Sequence, residues 1–507
     1  MAFTKNILSK YFPIQTKQRS IKKFEMPWLT RPIAKCIKKK HQFFTLYRKH
    51  TITYRSFSIY SSMLNELLSI ARINYYQNVF NTNVKNIKST WKYINILNGK
   101  KQKSSPSHIV DNNITYTNPA VIANKFNEYF SSIAYTIQQK LPNHRNEYSN
   151  LEQFNRNSMF LYNTTNTEIS NIIRQLPNKN TVGDIPTKLL KVASEDFSKI
   201  LADIFNKMTE SGVYPDLLKI SRITPVHKKG KTTQLDKYRP ISNLPITDKI
   251  FEKLLYNRTE SFLNKYNIIT NKQYGFRKNK DTSQAVLKLF DYIIPSFANH
   301  KYSICIFADF SKAFDTVDHT TLLNKLYKYG IRGQPHSLLK SFLSNRRQYV
   351  RINSSDSKTL PNNIGVPQGS CLGPLLYNIY CNDITELLSD CDVILYADDL
   401  VIHKSSDNIN ALSAYLNLTL DKLGDWCSYN KLSINPTKTK WMMFSNQRIT
   451  LNPILSIQNQ YIENVSEFKY LGFTVDNKLK HSSHIKTIKN NMTMYLRITK
   501  NLINCST

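Results

Sequence analysis

Short apolar runs alternating with amphipathic helices, each bounded by Gly or Pro, extend from about Ser211 to about Asp476 and predict an α/β domain. Two details sharpen that expectation. Tyr302-Ser303-Ile304-Cys305-Ile306-Phe307-Ala308 is a strand-length apolar run that delivers Asp309 at its end. Asp392-Val393-Ile394-Leu395 and Leu400-Val401-Ile402-His403 flank Tyr396-Ala397-Asp398-Asp399, so the pair reads as a β-hairpin tipped by two adjacent aspartates. After Asp309, Phe314, Val317, Leu322, Leu323 and Leu326 fall on one helical stripe.

Taken in order, the chain opens with a basic, mainly helical stretch. Ile33-Ala34-Lys35-Cys36-Ile37-Lys38-Lys39-Lys40 leads into Phe43, Phe44 and Tyr47. Basic residues interleaved with aromatics suit a nucleic-acid backbone and its bases, but a helix with a solvated basic face and a packed aromatic stripe gives the same pattern. Met63, Leu67, Ile70 and Ala71 mark a second helix from Tyr60 to Phe80, and Val121 to Leu141 reads as a third. Gly99 to Pro106 is a candidate linker. Gly183-Asp184-Ile185-Pro186 reads as a loop entering a helix over Thr187 to Lys191, and the last thirty residues, with Ile485, Ile488, Met492 and Tyr495, read as helical. The expected divisions are a basic connector over 1–150, an extension over 151–210, an α/β catalytic region over 211–476 and a partial helical segment over 477–507.

Charge narrows the partners. Lys and Arg number 70 against 35 Asp and Glu, a net charge of +35, which points to a polyanion, most simply nucleic acid. The first fifty residues hold thirteen Lys or Arg and one acid, Glu25. No apolar run approaches the length that spans a bilayer, and the N-terminus shows no signal-peptide core, so nucleus or cytoplasm is expected and a membrane is not. The seven cysteines are scattered without a C-x-x-C pair, which argues against a zinc knuckle or a disulfide framework. Cys305, inside an apolar run, reads as a small core residue.

The chemistry rests on carboxylates. A polar turn also uses Asp, yet ordinary hairpin turns favour Asn-Gly or Asp-Gly. Carboxylates a few Å apart repel by roughly 4 kcal/mol at an effective dielectric near 20, so gathering Asp309, Asp398 and Asp399 calls for cations or shared protons. Hard oxygen donors of this kind suit Mg²⁺, which keeps waters and shares substrate phosphates. Two such ions about 3.5–4 Å apart serve phosphoryl transfer, the chemistry of a nucleotide polymerase. Gly365-Val366-Pro367-Gln368-Gly369-Ser370 opens a helix through Leu375, Leu376, Ile379 and Tyr380, where glycines and a helix N-terminus allow close approach to phosphate; a plain Gly/Pro loop is the alternative. Arg239, fixed before Pro240, could grip a triphosphate with two parallel hydrogen bonds or simply form a surface salt bridge. Asp315 and Asp318 read as helix-start residues and Asp383 as a solvated helical acid.

Together and in this order, the stretches resemble the reverse transcriptases of non-long-terminal-repeat retrotransposons, most closely the Jockey-like branch. The carriers are HKKG from His227, YRPIS from Tyr238, QYGFRKN from Gln273, ADFSKAFDTVDH from Ala308, GVPQGSCLGPLLYNIY from Gly365, YADDLVIH from Tyr396, LSINPTKTK from Leu432 and FKYLGFTVD from Phe468. They cover roughly Asn180 to Asp476.

The resemblance implies a right-hand polymerase, with α/β fingers, an antiparallel palm sheet and a partial helical thumb. It implies that Asp309, Asp398 and Asp399, with the carbonyl of Phe310, bind two Mg²⁺ ions, Mn²⁺ being the alternative. Phe314 corresponds to the family's steric gate against a 2′-hydroxyl. Lys228 and Arg239 correspond to contacts with the incoming phosphates, and Gln368 and Gly369 to the loop that positions template and nucleotide. Lys438 or Lys440 corresponds to the lysine that protonates pyrophosphate. Phe468, Tyr470, Leu471 and Gly472 correspond to the primer grip. The implied partners are an RNA template, a DNA or RNA primer and dNTPs. Two departures stand out: the family's G-x-D-G-I-P is shortened to Gly183-Asp184-Ile185-Pro186, and the segment after Asp476 is short for a thumb. Residues 1–150 resemble the connector that follows an endonuclease in this branch, so target cleavage is not assigned. The alternatives are a catalytically silent nucleic-acid-binding remnant and a polymerase of group II intron type, which would carry a maturase region after the thumb.

Overall fold

A computed structural model describes residues 26, 28–83, 87–97, 106–141, 155–178, 185–447 and 453–503. Gly99 to Ser105 of the candidate linker, Gly183 and Asp184 of the shortened loop, Glu25 and Cys505 lie outside these residues. The chain divides into two compact units, 1–103 with 485–507 and 104–484.

The first unit holds α1 (Arg31–Arg48), α2 (Tyr54–Asn83) and α3 (Ile87–Leu97). Thr30 caps α1 by accepting from the Ile33 amide. Between α1 and α2 the aromatic residues stack on one another: Phe43 on Tyr60 with centroids 4.8 Å apart, and Tyr47 on Phe57 at 6.0 Å. Lys35, Lys38 and Lys39 remain exposed. Phe43 and Tyr47 are thus half-buried in the helix pair, while Phe44 stays 44% exposed.

The second unit begins with a hairpin of β1 (Ile109–Asp111) and β2 (Ile114–Tyr116), then α4 (Pro119–Gln139). Residues 106–141, grouped by sequence texture with the N-terminal region, pack here. α5 (Asn166–Gln175), α6 (Thr187–Val192) and α7 (Ser194–Ser211) follow. The next sheet contains β3 (Ile220–His227), β4 (Tyr238–Asn243), β6 (Arg347–Ile352), β7 (Ser355–Asp356) and β8 (Leu360–Pro361). Its order is β4-β3-β6-β7 with β8 beside β6, and β3 and β6 run parallel. The α4 face carrying Ile122, Phe126 and Phe130 closes over Ile223, Tyr238, Val350 and Ile352 as a separate core. Phe126 meets the Tyr238 ring edge-on at 4.9 Å, and Asn127 exchanges hydrogen bonds with Gln348 and donates to the Lys358 carbonyl.

The central sheet has the order β14-β11-β5-β10-β9, from β5 (Tyr302–Asp309), β9 (Asp392–Tyr396), β10 (Asp399–Ser406), β11 (Lys440–Phe444) and β14 (Glu463–Asn464). β5, β9, β10 and β11 pair antiparallel, and β14 joins the edge in parallel. Seven consecutive residues of β5 are buried, because both faces are covered. Ile304, Ile306 and Ala308 face the main core with α8 (Ile246–Lys265), α12 (Leu372–Tyr380) and α14 (Ile409–Tyr429). Cys305 and Phe307 face α9 (Thr282–Ala298) and the hairpin of β15 (Glu467–Tyr470) and β16 (Phe473–Asp476). The fully buried Cys305 is the core residue expected.

The helical stripe after Asp309 starts later than expected. Residues 311–315 form turns, Lys312 adopts φ +50°, and Asp318 caps α10 (His319–Lys328) by accepting from the Thr321 amide. Phe314 thus lies on a loop, and Asp318 is the helix-start residue expected. α11 (Gly333–Leu343) and α13 (Ile384–Leu387) complete the packing around α10 and α12, a short hairpin of β12 (Ser456–Ile457) and β13 (Gln460–Tyr461) precedes β14, and α15 (Ser482–Ile503) ends the described chain. Asp383 is not a solvated acid: it pairs at 2.8 Å with Lys325, and both side chains are largely buried. Among the described residues no helix is long and apolar enough to cross a membrane.

Because α4 supplies the apolar cover of the β3–β4–β6 sheet, Phe126→Ala should lower stability by about 3–5 kcal/mol, the usual cost of emptying a buried aromatic site. Guanidinium unfolding of the full chain followed by circular dichroism checks this.

Candidate active site

Strand register assembles the carboxylates. Asp309, last in β5, lies directly opposite Asp399, first in β10, which places both on the same face. Asp399 also pairs with Tyr396 across a two-residue turn formed by Ala397 and Asp398. Ala397 holds φ +56°, a left-handed conformation that an L-residue keeps only under constraint.

The constraint comes from the QYGFRKN stretch, whose residues sequence reasoning gave no role. Residues 272–274 bond alongside β9: the Tyr274 amide donates to the Leu395 carbonyl and the Leu395 amide to that of Lys272. Buried Gln273 accepts with Oε1 from the amides of both Gly275 and Ala397, at 2.7 and 3.2 Å. Gly275 carries no Cβ because one would sit 2.3 Å from the Ala397 nitrogen. Asn378 on α12 donates to the Gly275 carbonyl. The turn bearing Asp398 is thereby clamped from below.

A second segment fixes the other side. Asn435 donates its amide to the Asp309 carbonyl, Ser311 to that of Ser433, and the Asp309 amide donates to the Thr439 hydroxyl. Asn435 Oδ1 shapes a turn by accepting from Thr437 Oγ1 and the Lys438 amide, and Lys438 Nζ lies 3.1 Å from Asp309 Oδ2. Lys440 points elsewhere, paired with Glu463 on β14 and bonded to the Thr437 carbonyl. The register separates the two lysines.

Like charges shape the site's electrostatics. Partial burial, then Asp398, then Asp309 push the Asp399 carboxyl up to about 6. Burial and then Asp309 raise Asp398. Lys228 and Arg239 counter both, and Lys228 is itself lowered by burial and by Arg239 and Lys438. Arg239 pairs with Val226 across β3 and β4, and Lys228 follows the end of β3, so the two cations leave the strands together. Among the described residues no group of three or more His, Cys, Asp or Glu side chains is placed so that it could hold a metal ion. The crowding that raises Asp398 and Asp399 is the kind of repulsion a divalent cation would relieve.

Around this centre, Phe314 stacks on Tyr377 (4.5 Å, 24°) and meets Phe276 edge-on at 6.1 Å. Gln368 is held twice: its carbonyl accepts from the Ser242 amide at 2.7 Å, and its Nε2 donates to Asp315 Oδ1 at 2.7 Å. Gly369, at φ +108°, lies against the Ser242 carbonyl. Asp315 is therefore not a helix-start residue, because its carboxylate turns toward Gln368. Phe468 stacks on Phe307 at 4.3 Å, and Tyr470 is buried beside the same ring. Leu471 and Gly472 form the β15–β16 turn, with φ +46° and +93°.

Residues 226–475 match the family described as reverse transcriptase (RNA-dependent DNA polymerase). This stretch belongs to the reverse transcriptase family. The chain is 32% identical over 380 residues to the RNA-directed DNA polymerase from mobile element jockey of Drosophila melanogaster, covering 73% of this chain and 41% of that protein. It is 32% identical to the probable RNA-directed DNA polymerase from transposon BS and 30% identical to that from transposon X-element, both of Drosophila melanogaster. Each of these matches spans 63% of this chain and 36% of the relative. The chain thus spans roughly two-fifths of the length of these relatives. The retrotransposon reverse transcriptase resemblance and the mixed α/β fold agree with these matches.

Gly275→Ala should destabilise the protein by about 1–3 kcal/mol, since the added methyl meets backbone rather than a movable side chain; differential scanning calorimetry measures it. Raised carboxyl pKa values mean that the metal-free folded state binds protons more readily than the unfolded chain. Its stability therefore falls as pH rises from the ordinary carboxylate range through about 6. Asp399→Asn should raise the melting temperature of EDTA-treated protein at pH 7 and change it little at pH 4.

Proposed function

We propose that the chain is the RNA-directed DNA polymerase of a non-long-terminal-repeat retrotransposon. The reading is carried by the register that sets Asp309 opposite Asp399, with Asp398 in the adjoining turn. In this reading the β3–β4–β6 sheet forms the fingers, the β5–β9–β10–β11 sheet the palm, and α15 part of the thumb. Residues 1–150 then serve as a basic connector whose 106–141 segment supports the fingers, 151–210 as an extension, 211–476 as fingers and palm, and 477–507 as the partial thumb.

Asp309, Asp398 and Asp399, with the Phe310 carbonyl, would hold two Mg²⁺ ions. Bound there, the ions supply charge neutralisation at the attacking and leaving oxygens. Lys228 and Arg239 bind the triphosphate of the incoming dNTP. The primer 3′-hydroxyl gives up its proton to solvent as its oxygen attacks the α-phosphorus, the new O–P bond forms, and the bond to pyrophosphate breaks. Lys438, the lysine beside Asp309, gives its proton to the departing pyrophosphate; Lys440 is engaged with Glu463. Phe314, braced by Tyr377, closes the space a 2′-hydroxyl would need, which selects deoxynucleotides. Phe468 to Gly472 hold the primer end. The exposed lysines of α1 bind nucleic acid through its phosphates.

Single-nucleotide extension of a primer on an RNA template tests the reading. Wild type should add dTTP and reject UTP, Phe314→Ala should accept UTP, and Asp399→Asn should add neither. Lys438→Ala should lower kcat by about 10²–10⁴, the usual weight of a general acid, and Lys440→Ala by less than tenfold. Retained RNA binding without incorporation by wild type would identify a silent binding protein instead.

A further inference from the structure

The Asp315 carboxylate has no place in the chemistry above, yet the structure spends several constraints on it. It follows Phe314 directly, and the two strands of loop around it are sewn together. The Gly365 amide donates to the Val317 carbonyl and the Val366 amide to that of Phe314, each at 2.8 Å. Gly365 approaches so closely that a Cβ there would lie 2.5 Å from the Asp315 carbonyl oxygen. Across this seam Asp315 Oδ1 accepts from Gln368 Nε2, while Asp315 Oδ2 is buried without a hydrogen-bond partner. The Ser242 amide already occupies the Gln368 carbonyl, so the backbone at Gln368 cannot turn. What remains free is the orientation of the side-chain amide.

An ionised carboxylate only accepts hydrogen bonds. It can therefore take the NH₂ end of the amide and never its oxygen, which leaves the carbonyl oxygen as the end open to a ligand. We propose that Asp315 is a positioning residue for nucleotide selection, committing the Gln368 amide to present its carbonyl oxygen, an acceptor, to a hydrogen-bond donor of the incoming nucleotide. The inference rests on the reading that Gln368 belongs to the nucleotide site. A protonated Asp315 could instead donate to the amide oxygen and let the amide flip. Burial raises this carboxyl to about 6 against the opposing pull of Gln368, Lys312 and Arg239; Tyr129 on α4 and His319, bonded to the Gly365 carbonyl, also border the seam.

The test measures kcat and KM for dTTP on primed RNA between pH 5.5 and 8, together with Kd for dTTP in Ca²⁺. Asp315→Ala should raise KM and Kd about tenfold, the weight of one charge-assisted hydrogen bond, with kcat within threefold and an unchanged melting temperature. In a Gln368→Ala background the same substitution should add nothing. Asp315→Asn, whose amide can donate as well as accept and so no longer commits Gln368, should leave KM and Kd raised and lose the rise in KM that wild type shows below about pH 6. A normal KM in Asp315→Ala, an effect on kcat alone, or full additivity with Gln368→Ala would overturn the inference while wild-type extension upholds the polymerase. A wild type that binds dTTP without extending it would sink the activity and leave Kd to judge Asp315. One that neither binds nor extends would sink both.

Discussion

Three carboxylates must be held close together on one side of a buried sheet, and this repulsion is the constraint that the surrounding structure answers. Asp309 and Asp399 are cross-strand neighbours, so no side-chain rotation can separate them fully, and Asp398 is bound to the second of them through the chain. Left alone, such a group would fray the strand ends. The protein surrounds it with Lys228, Arg239 and Lys438 and anchors the strands where the charge cannot reach. The anchoring is apolar: β5 is buried along its length, with a helical core on one face and α9 with the β15–β16 hairpin on the other. A one-residue slip of β10 would move Asp399 to the opposite face and force Val401 into the core where Leu400 and Ile402 now pack, so the separate packing of the two covered faces enforces the register.

The turn between β9 and β10 cannot rely on burial. Ala397 sits in a left-handed conformation that costs of order 1–3 kcal/mol for a residue other than glycine. Gln273 offsets this by accepting two hydrogen bonds at a single buried oxygen, and the absence of a side chain at Gly275 lets the supporting backbone come near enough to make them. Tight local geometry at Asp398 is thus borrowed from a segment more than a hundred residues earlier.

This distance explains what the sequence did and did not disclose. Strand ends carrying Asp309 and Asp399 were legible because period and composition are local, and the order of motifs disclosed the family. Which lysine approaches Asp309 was not, because Lys438 and Lys440 are two residues apart and share strand parity. They are separated by the Asn435 turn, which sets Lys438 before the strand begins, and by Glu463, which reaches Lys440 from an edge strand. Asp383 read as solvated because its partner, Lys325, is a helix away in space and far away in sequence. Asp315 read as a helix start because its neighbours suit a helix; the positive φ at Lys312 and the cap at Asp318 delay that helix and free the carboxylate to cross to Gln368. In each case the missing quantity was a long-range contact between polar groups, which leaves no periodic trace.

The loop from Gly365 to Cys371 shows how such contacts accumulate. It has no regular secondary structure of its own, so its backbone groups must find partners singly. One end bonds to the Phe314–Val317 turn and the middle to β4 through Ser242. The far end is held by Glu252, whose carboxylate accepts from the Cys371 amide at the start of α12. Glu252, Asp248 and Arg346 are almost completely buried together beneath this point. Burying charge is expensive unless it is paired and bonded, and apolar residues would fill the space at lower cost. Apolar residues could not, however, accept the amide that opens α12. The charge cluster is therefore best understood as the support that fixes one end of the loop, as Asp315 holds the Gln368 side chain further along it.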